Sequence, residues 1–207
     1  MSGIADCDEE LVRIARRAYD SPGRHYHAWS HIEACLAEFA KAQADGQVKA
    51  PRTVLVALLF HDAVYVAGRR DNELLSAQMA EEAMARNGDS SAQERADVAE
   101  LIMLTAQHHA HGALSGDAAT FLDIDLAVLG ADEAIYRAYA QGVRQEFVPS
   151  AVSAAAFVEG RGRFLRGLLE QPNIYLTDWM RTRREAAARV NIARELQELS
   201  GVSIVSN

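Results

Sequence analysis

The chain has 207 residues, 49% hydrophobic and 24% charged, with four prolines, a balance that excludes disordered and fibrous classes and suits one ordinary domain. Its 29 acidic against 21 basic residues leave a net charge of -8 and no dense Lys/Arg block, which argues against a nucleic-acid polymer as partner and leaves a small anionic substrate open. Cys7 and Cys35 are too few for a disulfide framework, the opening MSGIADCDEELVRIARRAYD carries acids where an export signal would be apolar, and no apolar run reaches the ~18–20 residues that cross a bilayer, so the expectation is a cytoplasmic protein with no membrane partner.

Helical spacing dominates and strand-like alternation is nearly absent. Asp8 is placed to cap a first helix running to about Tyr19, with Leu11, Val12 and Ala15 on its apolar side, and Ser21-Pro22-Gly23 breaks it. A second helix is expected over 25–44, setting Ile32, Cys35, Leu36 and Phe39 at helical spacing. Pro51 suits the first turn of a third, over 51–65, which reads PRTVLVALLFHDAVY and is apolar almost all round; it should be the central, buried helix. After the polar loop AGRRDN, Asp71 or Asn72 caps a fourth helix to about Arg86, stopped by Asn87-Gly88. Further helices are expected at about 91–109, 119–130 and 132–146. Pro149 and Ser150 open a long helix to about Leu169, and beyond Pro172 an amphipathic one covers about 177–199. The expectation is all-α: about nine helices in a single domain, a core at about 25–146 with the C-terminal helices of 150–200 packed on it.

Charge inside apolar surroundings marks the candidate site. On a helix the neighbours of residue i are i±3 and i±4, which for His61 are Ala57, Leu58, Val64 and Tyr65, and for Asp62 are Leu58, Leu59, Tyr65 and Val66. A carboxylate buried there is costly unless it is paired or holds a metal. Asp125 lies among Phe121, Leu122, Val128 and Leu129, whereas Asp123 faces a less committed side; since i and i+2 point about 200° apart, only one of the two is expected to face the core, and Asp125 is preferred. His31, one turn after His27 on the expected helix, can approach the same point. Imidazoles and carboxylates together suit one divalent transition metal: Mn, Fe, Ni, Co or Zn.

The ordered set YHAWSHI (His31), LLFHDAVY (His61, Asp62) and FLDIDLAVLG (Asp125) resembles the pattern of the HD-domain superfamily of metal-dependent phosphohydrolases, a His, an adjacent His-Asp pair and a distal Asp. DNELLSA at 71–77, TAQH at 105–108 and the tail EAAARVNIARELQEL are similar to one bacterial branch of it, so the resemblance spans nearly the whole chain. It implies an HD-type helical bundle, a metal on His31, His61, Asp62 and Asp125, and hydrolysis of a small phosphorylated substrate, a nucleotide in many members, with Asp62 among the catalytic groups. The sequence departs from some members in placing Ala63 and Val64, not Gly and Lys, after His-Asp, and it lacks the acidic pair of alarmone hydrolases.

Around that set the resemblance leaves alternatives. Glu73 with Asn72 either orients water and protonates a leaving group or merely starts a helix. His27, Arg69, Arg70, Thr105 and His108 are candidates for holding substrate phosphate, with Arg24 and His25 sharing the ambiguity. His108, His109 and His111 lie where binuclear members carry extra histidines, so a second metal stays open. Arg144 and Glu146 read as a structural pair; Met79, Met103, Phe157 and Phe164 read as core; Glu185, Arg189 and Asn191 have no assigned role. A non-catalytic nucleotide- or metal-binding regulatory module and a di-iron oxygenase are the competing functions. Association with a second copy through the apolar face of the last helix also stays open.

Overall fold

The computed structural model describes residues 9–107, 114–148 and 150–201. Among them are nine α-helices, two 3-10 turns and no strand, packed as one bundle. The cap expected at Asp8 lies outside the described residues.

Helix α1 (Glu9–Tyr19) buries Leu11, Ala15 and Tyr19, and α2 (Trp29–Ala44) buries Ile32, Cys35, Phe39 and Ala42. The most apolar segment becomes α3 (Pro51–Phe60), with Pro51 in its first turn and every residue from Val54 to Phe60 buried. It packs against α1, α2, α4, α5 and α6, and that encirclement is why its sequence shows no polar face. Helix α4 (Asn72–Asn87) ends as expected on Gly88, in the left-handed region at φ 78°. It packs along α5 (Ala92–Leu104), which Ser91 caps by accepting the Glu94 N–H.

After α5 a 3-10 turn covers Thr105–Gln107, where a continuous helix to 109 had been expected. Helix α6 (Gly116–Asp125) runs straight into a second 3-10 turn, Leu126–Gly130, which is pressed against α7 (Glu133–Phe147) and α9 (Asp178–Leu199). A Cβ on Gly130 would stand 2.6 Å from the Arg184 carbonyl oxygen, so only glycine allows this approach. Helix α8 (Ala154–Glu170) pairs with α9. The residues of α9 without an assigned role turn out to be fasteners. Asn191 Nδ2 donates to the Leu129 and Ala131 carbonyls, Glu185 accepts the N–H groups of Ile174 and Tyr175, and Arg189 bonds Glu185 and the Gln171 and Pro172 carbonyls.

Two expectations about packing fail. Met103 is 42% exposed, not core. Arg144 lies over the Phe157 ring, while Glu146 turns to the segment before α2, so the two do not pair. No described helix is long and apolar enough to cross a membrane.

Candidate metal centre

The helices that carry the site stop short of it. Helix α2 starts at Trp29, not at 25, because the backbone of 25–27 is claimed by a distant carboxylate. Glu146 Oε1 accepts the N–H groups of His25, Tyr26 and His27 at 2.8, 2.7 and 2.8 Å, and Oε2 receives His27 Nδ1 at 2.6 Å. His27 is therefore not one helical turn below His31; it stacks on Tyr65, ring centroids 4.0 Å apart. Glu146 is 3% exposed. Burial would raise its carboxyl, but the His27 imidazole and the backbone N–H groups hold it down at about 2.

Helix α3 likewise ends at Phe60, with His61 as its C-cap and Asp62 in the turn beyond. The groups that would have continued the helix are taken by side chains. Arg24 donates to the carbonyls of His27, Asp62 and Ala63, Ser76 bonds both backbone groups of Val64, and Asn72 bonds both of Val66. The neighbours inferred for Asp62 from helical spacing are accordingly wrong. The turn frees its side chain to swing toward that of His61, where adjacent helical residues would diverge by about 100°.

His31 in the first turn of α2, His61 and Asp62 at the end of α3, and Asp125 at the end of α6 converge. His31 Nε2 is 3.1 Å from both His61 Nε2 and Asp125 Oδ1. His61 Nε2 is 3.2 Å from Asp125 Oδ1 and 3.2 Å from Asp62 Oδ2, and His31 Nε2 is 3.8 Å from Asp62 Oδ2. His61 Nδ1 donates to the Leu58 carbonyl at 2.9 Å, which leaves Nε2 as a lone-pair donor aimed into the cluster. Donors about 2.1 Å from one ion and at right angles to each other lie about 3.0 Å apart, so the spacing fits a divalent transition metal. Buried His, Cys and Asp groups here can hold such an ion; His31, His61 and Asp62 form one triad and His31, Cys35 and Asp125 another, each within 4.8 Å. Burial disfavours charge on His61 and Asp62, yet in the metal-free cluster Asp62 and Asp125 keep His61 well above the ordinary imidazole range, and His61 and His27 keep the Asp62 carboxyl below its own, so an ion binding at His61 Nε2 displaces a proton.

Asp123 corrects the sequence argument. It is 1% exposed, more buried than Asp125, because α6 is covered on both sides. Its carboxylate accepts the Leu176 N–H at 2.7 Å, the Thr177 N–H at 2.8 Å and the Thr177 hydroxyl at 2.6 Å, anchoring the start of α9. Two residues about 200° apart are thus both covered, Asp123 fully and Asp125 in large part, on opposite sides of one helix.

A cavity of about 450 Å³ opens beside the cluster, lined by the polar Asp62, Asp125, Glu73, His27, Thr105 and Arg161 and by aromatic residues that include Phe147, Phe157 and Phe164. Glu73, His27 and Thr105 thus line the same cavity as Asp62 and Asp125, although the Thr105 hydroxyl is spent on the Ile102 carbonyl. Both amide atoms of Asn72 are committed to Val66, which makes it a loop clamp and not a catalytic group. Arg69 and Arg70 are exposed and line no part of this cavity; Arg69 pairs with Asp71. His108, with His109 and His111, lies outside the described residues.

Sequence reasoning also missed the network on the far wall. Arg161 is buried, bonds Glu195 through Nε and Nη2 and gives Nη1 to the Tyr139 hydroxyl, and Tyr136 donates to the same Glu195. The available signal was Arg161 among Phe157, Val158, Phe164 and Leu165, the same test as for His61 and Asp62; Glu195, between Asn191, Ile192, Glu198 and Leu199, gave none. Comparison with family models, with curated proteins and with solved structures returns no match for this chain.

Proposed function

We propose that this chain is a metal-dependent hydrolase of a small phosphorylated molecule, a nucleotide being the class favoured by the resemblance to HD phosphohydrolases. One observation carries the reading: two imidazole nitrogens and two carboxylates, from three helix ends, meet at 3.1–3.8 Å, and the two carboxylates line an adjoining cavity with aromatic walls. When bound, a divalent transition metal on His31, His61, Asp62 and Asp125 supplies a water nucleophile near neutral pH and pulls electron density from a phosphoryl oxygen. The Leu58 carbonyl holds His61 in the tautomer that donates from Nε2. Burial opposes charge on His27, while Asp62 and Glu146 raise its pKa, and its ring lines the cavity where it can meet a phosphoryl group. Glu73, on the same wall, is the group placed to exchange a proton with the leaving oxygen. The organic part of the substrate lies against Phe147, Phe157 and Phe164.

The test is metal content by elemental analysis, before and after manganese reconstitution, with a phosphate-release screen, for wild type beside Asp62→Ala. About one metal per wild-type chain, phosphate release, and loss of both in a variant with an unchanged helical circular-dichroism signal is the expected result. Two irons with oxygen uptake would transfer the chain to the oxygenase class. One metal with nucleotide retention and no turnover of any phosphate ester would make it a regulatory module. Metal content unchanged by Asp62→Ala would overturn the ligand assignment.

A further inference from the structure

Resting on the centre just proposed, we infer that Cys35 is a further ligand of the same ion, giving the site a sulfur donor. Cys35 follows His31 by one turn of α2, and its Sγ stands 3.8 Å from both nitrogens of the His31 ring. His31, Cys35 and Asp125 each present a donor atom within 4.8 Å of the others, a triad that shares His31 with the triad of His31, His61 and Asp62. His31 is thus the hinge of two donor sets, one reaching toward α3 and the other along α2 to α6. The thiol is free and buried, 2% exposed. It also faces a second cavity, of about 390 Å³, together with His31 and Asp125.

The distances decide between contact and coordination. A thiolate about 2.3 Å and an imidazole about 2.1 Å from one ion lie about 3.1 Å apart at right angles and about 3.6 Å apart at the tetrahedral angle. The observed 3.8 Å exceeds both spacings, so coordination requires the Cys35 side chain to turn toward the ion. On coordination the thiol proton passes to solvent and the sulfur binds as thiolate. Five protein donors leave a single further position on an octahedral ion, so with the sulfur bound the ion serves either the water or the phosphoryl oxygen, not both at once. A thiolate also narrows the choice of metal, favouring zinc, iron and cobalt over manganese.

The experiment uses the full chain stripped of metal and reloaded with cobalt(II), whose bond to a thiolate gives a near-ultraviolet charge-transfer band that nitrogen and oxygen ligands do not. Wild type, Cys35→Ala, Cys35→Ser and Cys7→Ser are compared, with cobalt stoichiometry measured beside each spectrum. The expected result is the band in wild type and in Cys7→Ser, its loss in both Cys35 variants, and weaker cobalt binding in Cys35→Ala than in wild type. About one cobalt per wild-type chain without the band would overturn the sulfur ligand and leave the His–Asp centre standing. A band that survives Cys35→Ala and disappears in Cys7→Ser would overturn it as well. Failure of wild type to take up cobalt at all would remove the centre, and Cys35 with it.

Discussion

Replacing Glu146 by glutamine tests whether one carboxylate organises the entry to the site. The side chain is nearly isosteric, so the three N–H groups of His25, Tyr26 and His27 can still find an oxygen, but the negative charge facing His27 is gone. The folded protein holds this carboxyl at about 2 against an ordinary 4.5. At about 1.4 kcal/mol per pH unit that is worth about 3 kcal/mol undiminished, and about 2 kcal/mol once screening by solvent in the adjoining cavity is allowed for. A chain of this size loses roughly 2–4 °C of Tm per kcal/mol, so Glu146→Gln should melt roughly 4–8 °C below wild type at neutral pH. The carboxylate is favoured in the folded state, so its contribution is complete above about 4.5 and is lost as pH falls toward about 2. His27 acts in the other sense: burial opposes its charge, Asp62 and Glu146 raise its pKa, and the stability it adds fades as pH rises through that raised value. Urea denaturation followed by far-ultraviolet circular dichroism, repeated down the acid range, gives the difference directly. A difference under about 0.5 kcal/mol at neutral pH, or one that does not shrink below about 4.5, would refute the assignment of Glu146 as the charged anchor of this segment.

Three other outcomes follow from the same contacts. Asp125→Asn should lose metal with little change in the stability of the metal-free chain, whereas Asp123→Asn should keep metal and lose about 1–3 kcal/mol, since an amide cannot accept from all three donors of Leu176 and Thr177; metal analysis and denaturation of both variants separate the roles, and equal metal loss would sink the distinction. Asn72→Ala removes the partner of the Val66 N–H and one of the two donors to its carbonyl, which still accepts the Arg69 N–H, and should cost about 0.5–1.5 kcal/mol while metal content stays at the wild-type level; loss of turnover without loss of stability would return Asn72 to the catalytic set. Gly130→Ala forces a Cβ to within 2.6 Å of the Arg184 carbonyl and should cost about 1–3 kcal/mol by thermal melting, with a neutral result showing that the 3-10 turn and α9 can separate cheaply.

Local pattern determined the helical class, the order of the elements, the buried character of α3 and the ends marked by strong stop signals such as Gly88, because periodicity, proline placement and capping are short-range properties of the chain. It also singled out His61, Asp62 and Asp125, since polar groups among apolar neighbours stand out without any knowledge of the fold, whereas His31 rests on its spacing from His27, which the structure does not keep, and on the resemblance. It failed where distant side chains replace helical hydrogen bonds. Nothing between 25 and 28 announces that Glu146 will take three N–H groups, and nothing between 61 and 66 announces that Arg24, Ser76 and Asn72 will take the carbonyls and amides that a longer α3 would have used. The burial of Asp123 was invisible for the same reason: a helix has two sides, and only the arrival of the segment before α9 covers the second. Tertiary structure thus decided where the helices end. Those ends make the site, because His61 and Asp62 share one point only where the chain has left the helix that would have held them apart.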